Sequence, residues 1–394
     1  MNVLFIAPRF PFPLRKGDQL TVYRRLVAAS KKHCITLLTF APKREQEQVG
    51  LKKIAPYCKG GVITVKFKLY EGLYRVLKAF LFGKMPLQTA LYESRLLHES
   101  LRNLLLTQKI DIVHFFLLRM DAYRIDTKGV PCVIDLIDSM TLNISRRIKF
   151  EKGWKRWGLR KELARVRRLE QHLHLNYNSM ILCAEADKKF VPGKQVVLIP
   201  STVFTDEFYP IHVEKIPKSI IFSGNMGYAP NQHAVRFFLE KVFPCLNKKD
   251  RSIVFLIAGC NPPENLLVEA EKYDNVKILG AVASMPETLN KAVISVAPMQ
   301  SGSGMQGKIL EAMACGLPVI ATSIGKGSIE ADEEDGLIVF DRPREMAEGI
   351  LALIHDEERC NVLGERARQY IVSHHSNERS ESIIDDIYMK LLEK

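Results

Sequence analysis

A chain of 394 residues with 47% hydrophobic content is long enough for two globular domains with separate cores, and this composition excludes an intrinsically disordered protein. The formal net charge of +13 is uneven, because residues 1–203 hold 37 Lys and Arg against 16 Asp and Glu, whereas the remainder has a net charge of −8. A positive half favours nucleic acid, acidic lipid headgroups or phosphorylated substrates as partners, and charge alone does not choose among them.

Two features of the composition bear on location. The chain has no run of about eighteen apolar residues, and its first apolar run has no basic segment before it, so we predict neither a membrane span nor a signal peptide. The eight cysteines are scattered without a CxxC pair, which favours reduced core thiols over disulfides or structural zinc. A cytoplasmic protein is expected.

The first half has the pattern of a doubly wound parallel sheet. Strands are predicted at 2–7, 35–40, 62–65, 111–115, 132–137, 180–183 and 196–199, with helices at 18–31 and 91–106 among them. No GxGxxG follows the first strand, so a dinucleotide dehydrogenase is not favoured. In such sheets ligands lie at the carboxyl ends of strands, which makes His114 and Asp138 candidate site residues by position, although residues at strand ends are commonly structural.

A basic amphipathic segment follows the third predicted strand. Apolar residues recur at helical spacing among lysines and one arginine in 66–86, namely at Leu69, Leu73, Leu77, Phe80 and Leu81. Such a helix can lie on an anionic membrane surface, but an apolar stripe more often packs into a core, and core packing is the favoured interpretation.

The most highly charged stretch is 146–168, which also contains both tryptophans. It is either a solvated helix face or an interfacial helix whose indoles lie at headgroup depth while cations pair with lipid phosphate. Nucleic acid is less favoured, since no recognition fold is apparent. The candidate residues for a membrane or acceptor surface are Arg146, Arg147, Trp154, Lys155, Arg156 and Trp157.

A proline-marked linker near 200–217 precedes a second doubly wound domain. Its strands are predicted at 219–223, 254–258, 276–279 and 294–297, with a loop at 224–227 and a helix at 231–242. Further helices are predicted near 344–354, 357–372 and 378–391, and the last of these could fold back across the first domain.

The rest of the second half is organised around a glycine-punctuated stretch, 294–322, which is a strand, a glycine loop, a helix and another strand. Free amides at a helix start and its dipole favour an anion such as phosphate. Lys308 and Glu311 share one helix face near that opening, where a cation can reach phosphate and a carboxylate can bind ribose hydroxyls. The plainer alternative is a βαβ unit whose glycines only turn the chain.

The motifs FIAPRFPFPLRKGDQ, IIFSGNMGYAPNQHAV and, above all, KILEAMACGLPVIAT resemble those of family 4 glycosyltransferases with the GT-B fold, most of all a branch associated with exopolysaccharide synthesis. This resemblance covers nearly the whole chain. It implies an α/β protein with two Rossmann-like domains facing a cleft: an acceptor-binding domain over 1–203, a donor-binding domain over 204–376, and a C-terminal helix over 377–394.

The resemblance also implies roles for individual residues. Glu311 matches the carboxylate that holds the donor ribose, and Gly17, Gly224 and Asn225 match loops near the donor. The family loop around the diphosphate and sugar corresponds to Gly302, Ser303, Gly304, Met305 and Gln306. Ser303 stands where the family commonly has the first Glu of a Glu-x7-Glu pair whose second member is Glu311. The usual Arg and Lys after the first strand of this domain are absent, so Lys308 is the candidate cation. His114 and Asp138 are the catalytic candidates.

The resulting prediction is a retaining, metal-independent glycosyltransferase that needs no cofactor and uses a nucleotide diphosphate sugar, with a UDP-sugar favoured. Its acceptor is a lipid-linked or polysaccharide molecule of the cell envelope or of exopolysaccharide synthesis. We expect a cytoplasmic protein, peripheral on the inner face of the plasma membrane, and no nucleic-acid partner. The alternatives are a catalytically silent GT-B subunit that partners an active transferase, or another GT-B enzyme such as a nucleotide-sugar 2-epimerase.

Overall fold

The structure is a computed structural model that describes residues 1–14, 17–42, 44–127, 129–148, 151–301 and 306–393. The chain divides into two compact units. The first unit comprises Met1–Pro200 and Glu378–Lys394, and the second comprises Ser201–Asn377. The boundary between the units thus lies three residues before the one expected from the sequence.

The first unit is built on a seven-stranded, all-parallel sheet with the strand order β3-β2-β1-β4-β5-β6-β7. The central strands are buried on both faces, which explains their nearly continuous runs of Val, Ile, Leu and Phe. The strands are β1 (Asn2–Ala7), β2 (Cys34–Phe40), β3 (Gly61–Val65), β4 (Ile112–Phe116), β5 (Cys132–Ile137), β6 (Ser179–Leu182) and β7 (Val196–Leu198).

Helices cover this sheet, and one predicted helix, 91–106, is in fact two. The chain bends after Tyr92, where the Tyr123 hydroxyl donates to the Tyr92 carbonyl at 2.6 Å and accepts from the Ser94 amide at 2.8 Å. The helices are α1 (Gly17–Ser30), α2 (Arg44–Ile54), α3 (Leu69–Phe82), α4 (Leu87–Tyr92), α5 (Arg95–Thr107), α6 (Met140–Ile148), α7 (Gly153–His172) and α8 (Glu185–Lys188).

The C-terminal helix of the chain packs into the core of the first unit through a buried polar network. Arg25 of α1 forms an ion pair with Asp135 of β5 at 3.0 Å, and both side chains are almost fully buried. The Arg25 guanidinium also donates to the Ser380 hydroxyl at 2.8 Å and to the Ile199 carbonyl at 2.7 Å. Because each buried charge is hydrogen-bonded, the C-terminal helix is an integral part of the unit rather than a loose tail.

The second unit has a six-stranded parallel sheet with the order β10-β9-β8-β11-β12-β13. Its strands are β8 (Ser219–Ser223), β9 (Val254–Ala258), β10 (Val276–Gly280), β11 (Ile294–Ala297), β12 (Val319–Ala321) and β13 (Leu337–Val339). Its helices are α9 (Ala229–Phe237), extended by a π-helical segment (Phe238–Val242), then α10 (Phe243–Lys249), α11 (Glu264–Ala270), α12 (Met285–Asn290), α13 (Gly307–Ala314), α14 (Ser323–Lys326), α15 (Pro343–Ile354) and α16 (Glu357–His374). The helix that returns to the first unit is α17 (Asn377–Leu392).

In both sheets the strand order reverses once, between β1 and β4 in the first unit and between β8 and β11 in the second. Loops that leave adjacent strands in opposite directions open a crevice at such a switch point, and ligands of open α/β sheets bind there. The fold therefore directs attention to the segments that follow β8 and β11.

One sequence prediction about packing is wrong. The apolar stripe of α3 was expected in the core, yet its residues are solvent-exposed, and the buried residues of this helix are Gly72 and Ala79. The helix is held by its small residues, because a side chain at Gly72 would meet the Leu91 carbonyl oxygen at 2.6 Å. Within the described residues, no helix is long and apolar enough to cross a membrane.

Candidate functional site

A cavity of about 420 Å³ lies in the second unit beside the switch point between β8 and β11. We call it the Lys308 cavity. Its walls come from the loops after β8, β9 and β10 and from the first turns of α13. The lining residues are Ser223, Gly224, Asn225, Gly259, Cys260, Ala281, Val282, Met285, Lys308 and Glu311.

Two glycines allow the loops after β8 and β9 to meet at the cavity. At Gly259, whose φ is +151°, an added Cβ would lie 1.8 Å from the carbonyl oxygen of Gly224. At Gly224, whose φ is +154°, an added Cβ would lie 2.8 Å from Asn231 Nδ2 and 3.1 Å from Lys308 Nζ. Both positions therefore require glycine, and backbone rather than side chains forms this part of the wall.

Lys308, on the first turn of α13, supplies the cation of the cavity. Its ammonium donates to Asn231 Oδ1 at 2.6 Å and lies 4.1 Å from the centroid of the Phe222 ring. Burial lowers the pKa of Lys308 from 10.5 to about 7, although Glu311 acts in the opposite direction. An ammonium held in this way gains most from an incoming anion, because the anion restores the charge stabilisation that burial removes.

Glu311 lies one turn after Lys308 on α13 and lines the same cavity. Gln306 directly precedes the helix, and its side chain is half-buried. The predicted loop residues Gly302, Ser303, Gly304 and Met305 lie outside the described residues. The structure thus brings Gly224, Asn225, Lys308 and Glu311 together, and their role in binding a donor remains a prediction.

Asn231 is the functional candidate that sequence reasoning missed. Besides accepting from Lys308, it donates to the Asn225 carbonyl at 2.8 Å, so it links α13 to the loop after β8. The Asn225 side chain accepts from the Gly227 amide at 2.8 Å and shapes the same loop. A polar residue in the first turn of a helix is a common capping feature, so only the fold reveals the contact between Asn231 and a lysine 77 positions away.

His114 is not where the sequence placed it. It lies in the middle of β4 rather than near a carboxyl end, it is fully buried, and its ring stacks on Phe116 at 4.6 Å. Its Nδ1 pairs with the Tyr388 hydroxyl of α17 at 2.5 Å. Burial, helped by the charge of Arg25, lowers the pKa of His114 to about 3, so the ring is neutral. This environment is that of a core residue, and His114 is no longer our candidate for substrate contact.

Asp138 does follow a strand end, directly after β5, and is half-buried. Burial is the main cause that raises its pKa from 3.8 to about 6, the nearby Asp187 carboxylate adds to this, and Arg146 opposes it. The residue before it, Ile137, has a φ of +66°, which is strained for a β-branched side chain. Perturbed carboxylates beside strained backbone occur often at functional sites, so Asp138 stays a catalytic prediction.

The remaining candidates lie on the surface of the first unit. Gly17 is the first residue of α1, and no atom lies within 4 Å of an added Cβ there. Arg146 and Arg147 are exposed near the end of α6. Trp154, Lys155, Arg156 and Trp157 are exposed on the first turns of α7, with Trp154 79% exposed. No cluster of three or more His, Cys, Asp or Glu suited to a metal ion occurs among the described residues.

Comparison with known proteins shows which proteins the chain resembles in sequence and in fold. Residues 217–356, which include every residue lining the Lys308 cavity, match the family model described as glycosyl transferases group 1. The whole chain superposes on a sucrose-phosphate synthase from Thermosynechococcus elongatus with a TM-score of 0.71, 15% identity and 99% of each chain covered. The Anabaena protein HepE in complex with UDP has a TM-score of 0.70 at 12% identity, with 99% and 100% covered. The predicted GT-B class, α/β with two Rossmann-like doubly wound domains, is confirmed.

Two curated relatives add sequence evidence. One is more similar to part of this chain than the two structures are, and the other aligns over most of the chain. An exopolysaccharide phosphotransferase of Streptomyces coelicolor is 34% identical over 108 residues, which are 27% of this chain and 12% of the relative. An uncharacterised 44.6 kDa protein in the cps region of Klebsiella pneumoniae is 22% identical over 359 residues, which are 86% of this chain and 87% of the relative. The chain therefore spans only a small part of the first relative. Together with the fold, these findings support a GT-B glycosyltransferase.

Proposed function

We propose that this protein transfers a sugar from a nucleotide diphosphate sugar to an acceptor and that the Lys308 cavity is its donor site. The observation that carries the proposal is the meeting of Lys308, Glu311 and the backbone of Gly224 in one cavity at the switch point of the second sheet. That cavity lies inside the range that matches the group 1 glycosyl transferases.

Each part of the cavity suits one part of the donor. The Lys308 ammonium and the amides at the start of α13 attract negative charge, so they would bind the diphosphate and stabilise it as it leaves. Glu311 would accept hydrogen bonds from the two ribose hydroxyls. Ala281, Val282 and Met285 offer apolar surface to the base. A UDP-sugar is the favoured donor, in keeping with the UDP bound by the Anabaena neighbour.

The acceptor belongs to the first unit in this proposal. Asp138 would accept a hydrogen bond from an acceptor hydroxyl once ionised, which its pKa of about 6 permits at neutral pH. We infer a lipid-linked or polysaccharide acceptor in cell-envelope or exopolysaccharide synthesis. The printed name of the Streptomyces relative supports that class of product. We further propose retention of the anomeric configuration, family 4 membership, no metal requirement and a cytoplasmic location.

Thermal unfolding of the full chain against UDP, GDP and TDP and their sugars tests the donor assignment, because a ligand that binds only the native state raises the melting temperature. We expect a selective increase with UDP compounds that Glu311→Ala and Lys308→Met both reduce. The same increase in both variants would show that the donor binds elsewhere.

Release of UDP from a bound UDP-sugar, with water as a slow acceptor, tests the transfer chemistry separately. An active enzyme releases UDP, and the anomer of the released sugar, read by NMR, reports retention or inversion. Ser303 in place of the first Glu of the family pair favours one rival, a silent binding subunit. Such a subunit would bind UDP-sugars without any release of UDP.

A further inference from the structure

The amphipathic arrangement of α3 is inverted relative to that of an ordinary surface helix. Its bulky apolar residues face solvent, whereas its small residues Gly72 and Ala79 are buried. Arg75, on the inward side, donates to the Glu93 carbonyl at 2.7 Å. A helix on a water-exposed surface normally turns its apolar face to the core, so this orientation requires something other than water to cover α3.

The exposed apolar surface is large and continuous along the helix. Leu73 and Leu77 are each 56% exposed, and Phe82, at the end of the helix, is 84% exposed. The large apolar or aromatic side chains that α3 exposes are Leu69, Tyr70, Leu73, Tyr74, Leu77, Phe80, Leu81 and Phe82. Single exposed apolar residues are normal, but eight on one helix form a patch of the kind that binds an apolar partner.

The start of α7 extends this patch. The Phe80 and Trp157 rings meet edge to face with centroids 6.3 Å apart. Arg165 of α7 donates to the Ala79 and Phe80 carbonyls at 3.2 and 3.1 Å, which fastens the two helices together. Trp154 and Trp157 are the two tryptophans of the protein, so both of its indoles lie on this surface.

Cations frame the apolar patch. The Lys161 ammonium lies 4.0 Å from the centroid of the Trp157 ring, and Lys155 lies 6.0 Å from that of Trp154. The exposed basic residues on or beside α3 and the first turns of α7 include Lys66, Lys78, Lys84, Lys152, Lys155, Arg156, Arg160 and Lys161. Lysine is depleted at protein–protein interfaces, whereas apolar side chains flanked by lysines and indoles are typical of surfaces that bind anionic bilayers.

We propose that α3 and the first turns of α7 form a membrane-docking surface, which inserts the α3 apolar face into the interfacial region of an anionic lipid bilayer while the surrounding lysines contact lipid phosphates. Apolar burial and charge attraction act together in such binding. The surface belongs to the first unit alone, so this inference does not depend on the donor site in the second unit.

Tryptophan emission of the full chain tests the proposal directly, because both indoles lie on the surface in question. We expect vesicles of phosphatidylcholine with phosphatidylglycerol to shift the emission to shorter wavelength and to carry the protein in flotation. High salt and pure phosphatidylcholine should weaken both effects. A folded protein, judged by circular dichroism and a cooperative thermal transition, whose emission and flotation do not respond to anionic vesicles would overturn the proposal.

Variants separate docking from non-specific adsorption. Leu73→Ser with Leu77→Ser should weaken vesicle binding at least about tenfold, since both apolar side chains would otherwise enter the bilayer. The matched control is Val268→Ser with Val372→Ser on the second unit, where Val268 is also 56% exposed, and it should bind vesicles as wild type does. Equal binding by both double variants would contradict the assignment of α3.

The contribution of charge attraction to vesicle binding is tested by a second pair of matched double variants. Lys155→Glu with Lys161→Glu should weaken binding to anionic vesicles more than Lys248→Glu with Lys249→Glu, which changes the net charge equally at exposed positions of α10. Sedimentation velocity tests whether a second copy of the chain, rather than a membrane, covers this face. A dimer that the α3 variants dissociate, in a protein without vesicle binding, would show that a second copy covers this face and would overturn the proposal.

Discussion

The titration of Lys308 makes the donor-site proposal quantitative. In the free protein the pKa of this lysine is about 7, so roughly half of the molecules lack the charge at neutral pH. A bound diphosphate would favour the ammonium and return its pKa toward the ordinary range. Binding therefore takes up a proton above pH 7, and the affinity is complete below that pH and is lost as pH rises.

The size of the effect follows from proton linkage. With a pKa of about 7 in the free protein and about 10 or more in the complex, Kd should rise about 30-fold between pH 6 and pH 8.5, which corresponds to about 2 kcal/mol. UDP-glucose is the suitable ligand, since both of its phosphates are esterified and neither titrates in this range. Calorimetric titration at each pH measures Kd.

Three variants identify the titrating group. Lys308→Met should bind weakly with a flat pH profile, and Lys308→Arg should also give a flat profile because arginine stays charged throughout. Cys260→Ser removes the thiol that lines the same cavity and should keep the wild-type slope. A wild-type profile without slope, or a slope that survives in Lys308→Met, would refute the reasoning.

Three further outcomes are expected. Glu311→Gln should weaken UDP binding about 10- to 100-fold in calorimetry, the cost of hydrogen bonds to a charged group, and unchanged affinity would remove Glu311 from the ribose site. Asp138→Asn should raise the free energy of unfolding by about 1–3 kcal/mol at pH 7.5 yet slow sugar transfer. Because the pKa of Asp138 is raised to about 6 in the folded protein, its contribution to stability is complete below pH 3.8 and is lost as pH rises through 6. The asparagine amide does not ionise and so avoids that loss. Denaturant curves at pH 4.5 and 7.5 measure it, and an equal effect at both would contradict the cause given. Gly259→Ala should cost roughly 3 kcal/mol or more in thermal unfolding because its Cβ would meet the Gly224 oxygen, whereas Gly158→Ala, with no atom within 4 Å, should be neutral or stabilising.

Periodicity and turn residues were enough to predict most of the strands. Asn2–Ala7, Cys132–Ile137, Ser219–Ser223, Val254–Ala258 and Ile294–Ala297 have the predicted bounds, because a strand buried on both faces is a short apolar run between polar turns. This local pattern does not depend on what each strand packs against.

The failures arise where distant parts of the chain decide the outcome. The pattern of α3 is the same whether its apolar face is buried or exposed, and the contact of Gly72 with α4 decides between them. His114 has a local sequence typical of a strand end, but α17 covers it with Tyr388 from 274 positions away. Sequence spacing placed Lys308 and Glu311 on one helix face, whereas the link from Lys308 to Asn231 required the fold.

The central claim is that the nucleotide binds in the Lys308 cavity, and hydrogen–deuterium exchange of the full chain with and without UDP tests it most directly. We predict that UDP slows amide exchange in the loop after β8 and at the start of α13, and leaves α3 unchanged. Slower exchange confined to segments that do not line the cavity would contradict the account.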